Sequence, residues 1–266
     1  MFLGYLLAIL VGISLGLIGS GGSILTLPIL VYIMDVDPLA ATAYSLFIVG
    51  IAALAGGIRN AMHKTVHFPT VLAFGLPSIA AVYSTRKWLL PLIPDTLLSI
   101  GNFTLTKAIA LMLMFAIVMI MASLSMIRSG RRNIEPAVNA SGIRARFIML
   151  LRGIQVGILT GLLGAGGGFL VIPVLVLQAG MNMSSAIGTS LFIVAVNSLF
   201  GFTQEWISGF PMNWTLIAVF STSALIGVII GSSLSAKVSS TKLKSAFGWF
   251  VLVIGCYILL KELLLR

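Results

Sequence analysis

Apolar residues fill this chain in long runs, and short polar breaks separate them. Ten runs stand out: residues 2–18, 23–34, 39–57, 69–86 and 105–127, then 146–163, 168–180, 185–203, 213–236 and 243–264. Eight of them have the length of a membrane helix. The second and seventh hold about 12–14 residues, which at 1.5 Å per residue reach only ~18–21 Å of a ~30 Å hydrocarbon core. Each short run follows a turn of small residues, Gly19-Ser20-Gly21-Gly22-Ser23 in one case and Gly164-Ala165-Gly166-Gly167-Gly168 in the other. Pro28 and Pro173 stand near the start of the short runs. The pattern predicts a helical hairpin whose glycine turn lies inside the bilayer, because irregular backbone at that depth must line a cavity or be buried in protein. It predicts an all-α polytopic membrane protein.

The two sets of five runs repeat each other. Gly12–Gly56 aligns without a gap to Gly157–Gly201, and 19 of the 45 positions are identical. Shared Leu and Val mean little in so apolar a chain. Gly19, Gly21, Gly22 and Pro28 falling on Gly164, Gly166, Gly167 and Pro173 mean more, as does Ser45-Leu46-Phe47-Ile48-Val49 falling on Ser190-Leu191-Phe192-Ile193-Val194. The chain therefore divides into a first membrane repeat (1–127), a basic linker (128–145) and a second membrane repeat (146–266). Matched Gly/Pro-interrupted segments in duplicated halves point to a transporter's binding site.

Composition narrows this further. A chain with 59% hydrophobic and 8% charged residues is no ordinary soluble domain, and its longest polar stretch, Ile127 to Arg146, is too short to bury a core. The net charge of +10 lies almost wholly in loops and at segment ends, so it reads as positive-inside bias and not as a nucleic-acid surface. Placing the loops after segments three and nine and the linker in the cytoplasm puts 11 of 16 basic residues inside. Arg86, Lys87, Lys107, Lys261 and Arg266 then lie outside, as do Glu205 and both termini. The odd number of segments per repeat inserts the halves upside down relative to each other, the arrangement of alternating-access carriers. Residues 1–18 lack a basic leader region and are expected to be a retained first helix.

The turns suggest what is carried. Glycine presents backbone N–H groups with no Cβ in the way, and a helix N-terminus just after it carries partial positive charge. Such a place suits an oxyanion without a buried lysine or arginine. Against this stands plain helix packing, which explains Gly12-x-x-x-Gly16 and Gly157-x-x-x-Gly161 well. Candidate ligands are Gly19, Ser20, Gly21, Gly22 and Ser23 in the first turn, and Gly164, Ala165, Gly166, Gly167 and Gly168 in the second. Tyr44 and Ser45, with Thr189 and Ser190, add hydroxyls about one turn into the following helix; these either bind the anion or cap backbone. Asn197, opposite Ala52 in the alignment, breaks the symmetry. Arg86 either draws anions to the outer mouth or snorkels to the interface. His63 and His67 read as loop residues. No carboxylate falls mid-span, and there is no HExxH, Walker motif or cysteine pair, so no metal, nucleotide or other cofactor is expected.

GLIGSGGSILTLPIL and GLLGAGGGFLVIPVL, with the following ATAYSLFIV and AIGTSLFIV, resemble the TauE/SafE family of sulfite and organosulfonate transporters. The resemblance spans both halves and implies a multi-pass inner-membrane protein that moves sulfite, sulfonates or related carboxylate anions. The expectation is a secondary carrier of small oxyanions, working in export, whose partners are that anionic substrate and the lipid bilayer. Whether two copies pair as a homodimer is left open. An anion channel shares the same signals. A membrane-embedded sulfur-handling enzyme or delivery partner needs a reactive thiol or a buried acid–base pair, and Cys256 in the last segment is poorly placed for the thiol. Segment nine has Gly227-x-x-x-Gly231 where segment four has Pro77-Ser78, which argues against a symmetric packing scheme.

Overall fold

The computed structural model describes residues 2–100, 103–129, 143–164, 166–177, 179–234 and 240–264. Ala165, Lys237 and linker residues 130–142 lie outside the described residues. The first half comprises α1 (Phe2–Ile18), a 3₁₀ segment (Gly19–Leu25), α2 (Thr26–Tyr32), α3 (Pro38–Met62), α4 (Phe68–Ser84) and α6 (Lys107–Ser129). The second comprises α7 (Ile143–Leu163), α8 (Gly168–Leu177), α9 (Met183–Ile207), α10 (Trp214–Leu234) and α11 (Ser240–Leu264). Helix α4 runs on through a π-helical turn, Thr85–Leu89, into a short α5, Leu90–Leu92. Among the described residues, five helical stretches are long and apolar enough to cross a membrane: Pro38–Met62, Phe68–Leu92, Lys107–Ser125, Met183–Ile207 and Trp214–Leu234. Leu3–Ile18, Gly22–Tyr32 and Phe147–Leu163 are shorter apolar helices.

Two details depart from the sequence reading. A small antiparallel hairpin, β1 (Thr96–Ile100) with β2 (Phe103–Thr106), joins α5 to α6. Its signal is in the sequence, where Gly101-Asn102 separates two stretches rich in Thr, Leu and Ile. Pro173 lies inside α8 and not near its start, whereas Pro28 does fall in the first turn of α2. The first glycine turn winds a full 3₁₀ segment and so delays α2; the second starts α8 directly at Gly168.

Helices α3 and α9 form the centre, with two-thirds of each apolar window buried. They run antiparallel: Gly50 faces Leu199, while Gly57, further along, faces the earlier Phe192. Both start at cap residues that the repeat duplicates. The Asp37 carboxylate accepts hydrogen bonds from Leu39 N and Ala40 N, and Asn182 Oδ1 accepts one from Ser185 N. Around this pair, the first helix of each half packs on the fourth helix of the other, α1 on α10 and α7 on α4, while α6 packs on α11.

Small residues make these outer crossings possible. A Cβ on Gly12 would overlap Ala224 O, and one on Gly227 or Gly231 would overlap the carbonyls of Ile9 or Ile13. In the other pair Gly153, Gly157 and Gly161 of α7 lie against Phe74, Ser78, Ala81, Val82 and Thr85. The packing partners are therefore equivalent in the two halves. Ala81 and Thr85 take the places of Gly227 and Gly231, because one glycine-bearing face is enough when the other carries only small groups. This corrects the asymmetry inferred from Pro77-Ser78.

Candidate functional site

The glycine turns sit against the central pair. Gly19 (φ +76°) rests on Ile187 of α9, and Gly164 (φ +66°) rests on Thr42 of α3. Thr42 and Ile187 are equivalent in the repeat alignment, so each turn docks on the other half at the same place. Gly22 lies against Ser14 and Leu15, and Ser23 is fully buried in the first turn. Ser20 and Gly21 belong to the 3₁₀ segment, which packs against α8 and α9, so the two hairpins meet.

The second turn lies between the central helices. A Cβ built on Gly166 (φ +69°) would stand 2.7 Å from Val49 Cγ1 of α3 and 2.9 Å from Ser198 Oγ of α9. Gly167 (φ +64°) lies against the Thr160 hydroxyl. Ser45 falls on the stripe of α3 between Thr42 and Val49. Ser190 falls on the matching stripe of α9 between Ile187 and Val194. The arrangement thus brings Gly19, Ser45, Gly166 and Ser190 to one interface, and adds Ser198, Thr160 and Ser78, which the sequence reading missed.

Several polar atoms at this interface are buried with no hydrogen-bond partner among the described residues: Ser45 Oγ, Thr160 Oγ1, Ser198 Oγ and Asn197 Oδ1. Asn197 Nδ2 donates to Ser78 Oγ at 2.7 Å, joining α9 to α4, and Ser190 Oγ donates to Ile187 O at 2.9 Å. Leaving one such group unmet costs about 1–3 kcal/mol. Ser198 and Thr160, beside Gly166 and Gly167 of the turn, therefore mark a place built for something polar.

Tyr44 and Thr189 hydrogen-bond to backbone of the opposite half. The Tyr44 hydroxyl accepts from Asn213 N at 3.1 Å and donates to Pro211 O at 3.4 Å. Thr189 Oγ1 accepts from His67 N at 3.0 Å. Asn213 and His67 cap α10 and α4 in the same way, Oδ1 accepting from Leu216 N and Nδ1 from Thr70 N. Each hydroxyl therefore ties the third helix of one half to the cap of the other half's fourth helix.

At the Glu205 end of α9 a cavity of about 350 Å³ opens beside the hairpin, reaching Thr42, on which Gly164 rests. Arg86, Lys87, Lys107, Gln204 and Glu205 line it. Arg86 does not snorkel: it is 3% exposed and pairs with Glu205 at 2.7 Å through Nη1. Its place is set by α4, because Arg86 continues at i+4 spacing the buried stripe of Phe74, Ser78 and Val82. Two larger hollows, of about 540 and 590 Å³, are walled almost wholly by apolar side chains and offer an anion nothing.

Comparison with known proteins agrees with this picture. Residues 4–258 match the family described as sulfite exporter TauE/SafE. A probable membrane transporter protein of Xylella fastidiosa (strain Temecula1) is 31% identical over 257 residues, covering 94% of this chain and 91% of that one. Probable membrane transporter proteins of Bacillus subtilis and Methanocaldococcus jannaschii are 26% and 25% identical over 95% and 96% of the chain, covering 95% of each relative. No solved structure matches. The chain belongs to the TauE/SafE family of multi-pass membrane transporters.

Proposed function

From a TauE/SafE chain of this geometry, we propose a secondary carrier that exports small oxyanions, sulfite, a sulfonate or a related carboxylate, across the cytoplasmic membrane. The observation that carries the reading is the set of unmet hydroxyl and amide groups on α3, α7 and α9: Ser198 against Gly166, Thr160 against Gly167, Ser45 one turn from Val49 on α3, and Asn197 next to Ser198 on α9. An oxyanion is rich in acceptors and satisfies hydroxyl donors and turn N–H groups together; Asn197 Oδ1 takes a protonated oxygen or a water. Gly164, Gly167 and Gly168 hold this cradle, and Gly19 to Ser23 with Ser190 form its counterpart across the pseudo-symmetric interface. Tyr44 and Thr189 brace the halves and do not touch the anion.

Alternating access follows from two inverted halves. Equivalent docking of Gly19 and Gly164, exchanged first and fourth helices, and antiparallel α3 and α9 all support that inversion. No coupling ion is needed for export, because an anion leaving a negative interior gains ~2.3 kcal/mol per charge per 100 mV.

Two measurements test this. In liposomes the protein should carry sulfite or methanesulfonate saturably and with counterflow stimulation; flux without saturation or counterflow identifies a channel instead. Ser198→Ala and Ser45→Ala should each weaken anion binding roughly 10- to 150-fold, the equivalent of one hydrogen bond to a charged group at about 1.5–3 kcal/mol. Wild-type affinity in both variants removes the hydroxyl cradle.

The orientation is checked separately. In a Cys256→Ser background, Pro211→Cys should react with an impermeant thiol reagent only from outside, and His63→Cys only from the cytoplasm. Both positions are exposed, at opposite ends of the α3–α9 pair. Labelling of both from one side rules out the inverted arrangement.

A further inference from the structure

We propose that Arg86 is itself a binding station, a side-on guanidinium fork in the Glu205-end cavity that takes a small carboxylate, sulfonate or sulfite by two parallel hydrogen bonds. The proposal rests on the carrier reading only for what happens to the anion next. Arg86 Nη1 is held by Glu205 Oε1 at 2.7 Å. Nε and Nη2, the two nitrogens of the other edge of the guanidinium, are buried and have no partner among the described residues. A buried guanidinium with a vacant edge is costly, and that edge matches two oxygens on one carbon or sulfur atom.

The neighbouring cations do not compete for the role. Lys107 Nζ donates to Leu90 O, and exposed Lys87 donates to the Tyr83 hydroxyl at 3.3 Å and lies over the Tyr83 and Trp88 rings. They add positive potential without a directed site. Glu205 orients the fork but also repels an anion, so the station holds its ligand and releases it. Its cavity reaches Thr42, the residue on which Gly164 of the second turn rests, and thus borders the deeper cradle. Arg86 belongs to the π-helical turn after α4, so a shift of that turn moves the station.

The test is equilibrium binding of methanesulfonate and acetate to purified protein in lipid-free detergent, with flux in liposomes measured in parallel. Arg86→Lys keeps the charge and removes the fork, and should weaken binding at this site at least tenfold at low and high salt alike. Lys87→Gln should change affinity by less than threefold at high salt. Glu205→Gln removes the competing charge while keeping an acceptor for Nη1, and should tighten binding about five- to tenfold. It carries the test if Arg86→Lys does not fold.

Wild-type affinity in Arg86→Lys overturns the station, as does unchanged or weaker binding in Glu205→Gln. So does binding that vanishes wholly in Ser198→Ala, which places the single site at the turn and leaves the carrier reading standing. Binding of a short-chain phosphatidylglycerol that Arg86→Lys weakens, with no binding of methanesulfonate or acetate, assigns the fork to a lipid headgroup and overturns the small-anion station. Absence of saturable flux for every anion counts against the carrier reading and leaves the fork measurement intact.

Discussion

Gly166→Val should reduce anion flux in liposomes to that of empty vesicles, while the protein still inserts and runs as one species in size-exclusion chromatography. Gly166 has φ +69°, a conformation that a β-branched residue adopts only as an outlier, at a cost of about 1–3 kcal/mol. Space is also lacking. The new Cβ would meet Val49 Cγ1 at 2.7 Å and Ser198 Oγ at 2.9 Å, so the turn must retreat from both central helices. That retreat removes the backbone N–H groups and displaces the Ser198 hydroxyl, two parts of the proposed cradle at once. Gly166→Ala shares the strain with less bulk and should retain partial flux. Normal flux in Gly166→Val would falsify the turn's role as ligand.

Gly227→Leu should cost most of the folded protein. A side chain there points into the backbone of α1, at Ile9 O and the Cα of Gly12, and neither can move aside as a side chain would. Overpacking a well-fitted core costs typically about 1–3 kcal/mol. Here the whole α1–α10 crossing must open, and it also depends on Gly12, Gly16 and Gly231. Without water to drive apolar surfaces together, close backbone approach is a main source of helix association in a bilayer, so little else compensates. The measurement is the yield of monodisperse protein and its Tm in one detergent. Gly157→Leu should behave alike at the α7–α4 crossing. Gly209→Ala is the contrast: its φ is +72°, but nothing lies within 4 Å, so it carries backbone strain and no clash. Wild-type Tm in Gly227→Leu would mean that these helices do not touch so closely in solution.

The sequence by itself determined the helices, the two glycine-broken hairpins and the duplication. Those features are local: apolar runs, small residues in register and cap residues such as Asp37 and Asn182 act within one turn of where they are written. The packing role of Gly12 and Gly157 was legible for the same reason, since a stripe of small residues is itself the signal. The β1–β2 hairpin was equally legible in Gly101-Asn102, but the apolar count on either side drew attention to helices.

What only the tertiary structure decided are contacts whose partners carry no signature. Tyr44 and Thr189 read equally as anion ligands or as backbone caps, because a hydroxyl in an apolar helix advertises a bond without naming its partner. The partners are backbone N–H groups of Asn213 and His67, and every residue except proline has one. Arg86 and Glu205 are 119 positions apart, and nothing in either neighbourhood specifies the other. Their pairing depends on Arg86 continuing the buried stripe of α4 beyond Ser78 and Val82, and on Glu205 near the end of α9 lying within reach of it. Ser198 and Thr160 went unnoticed because single hydroxyls are common in membrane helices. Their significance lies in being buried, unpartnered and beside Gly166 and Gly167 respectively, three properties that exist only once α3, α7 and α9 are packed around the turn.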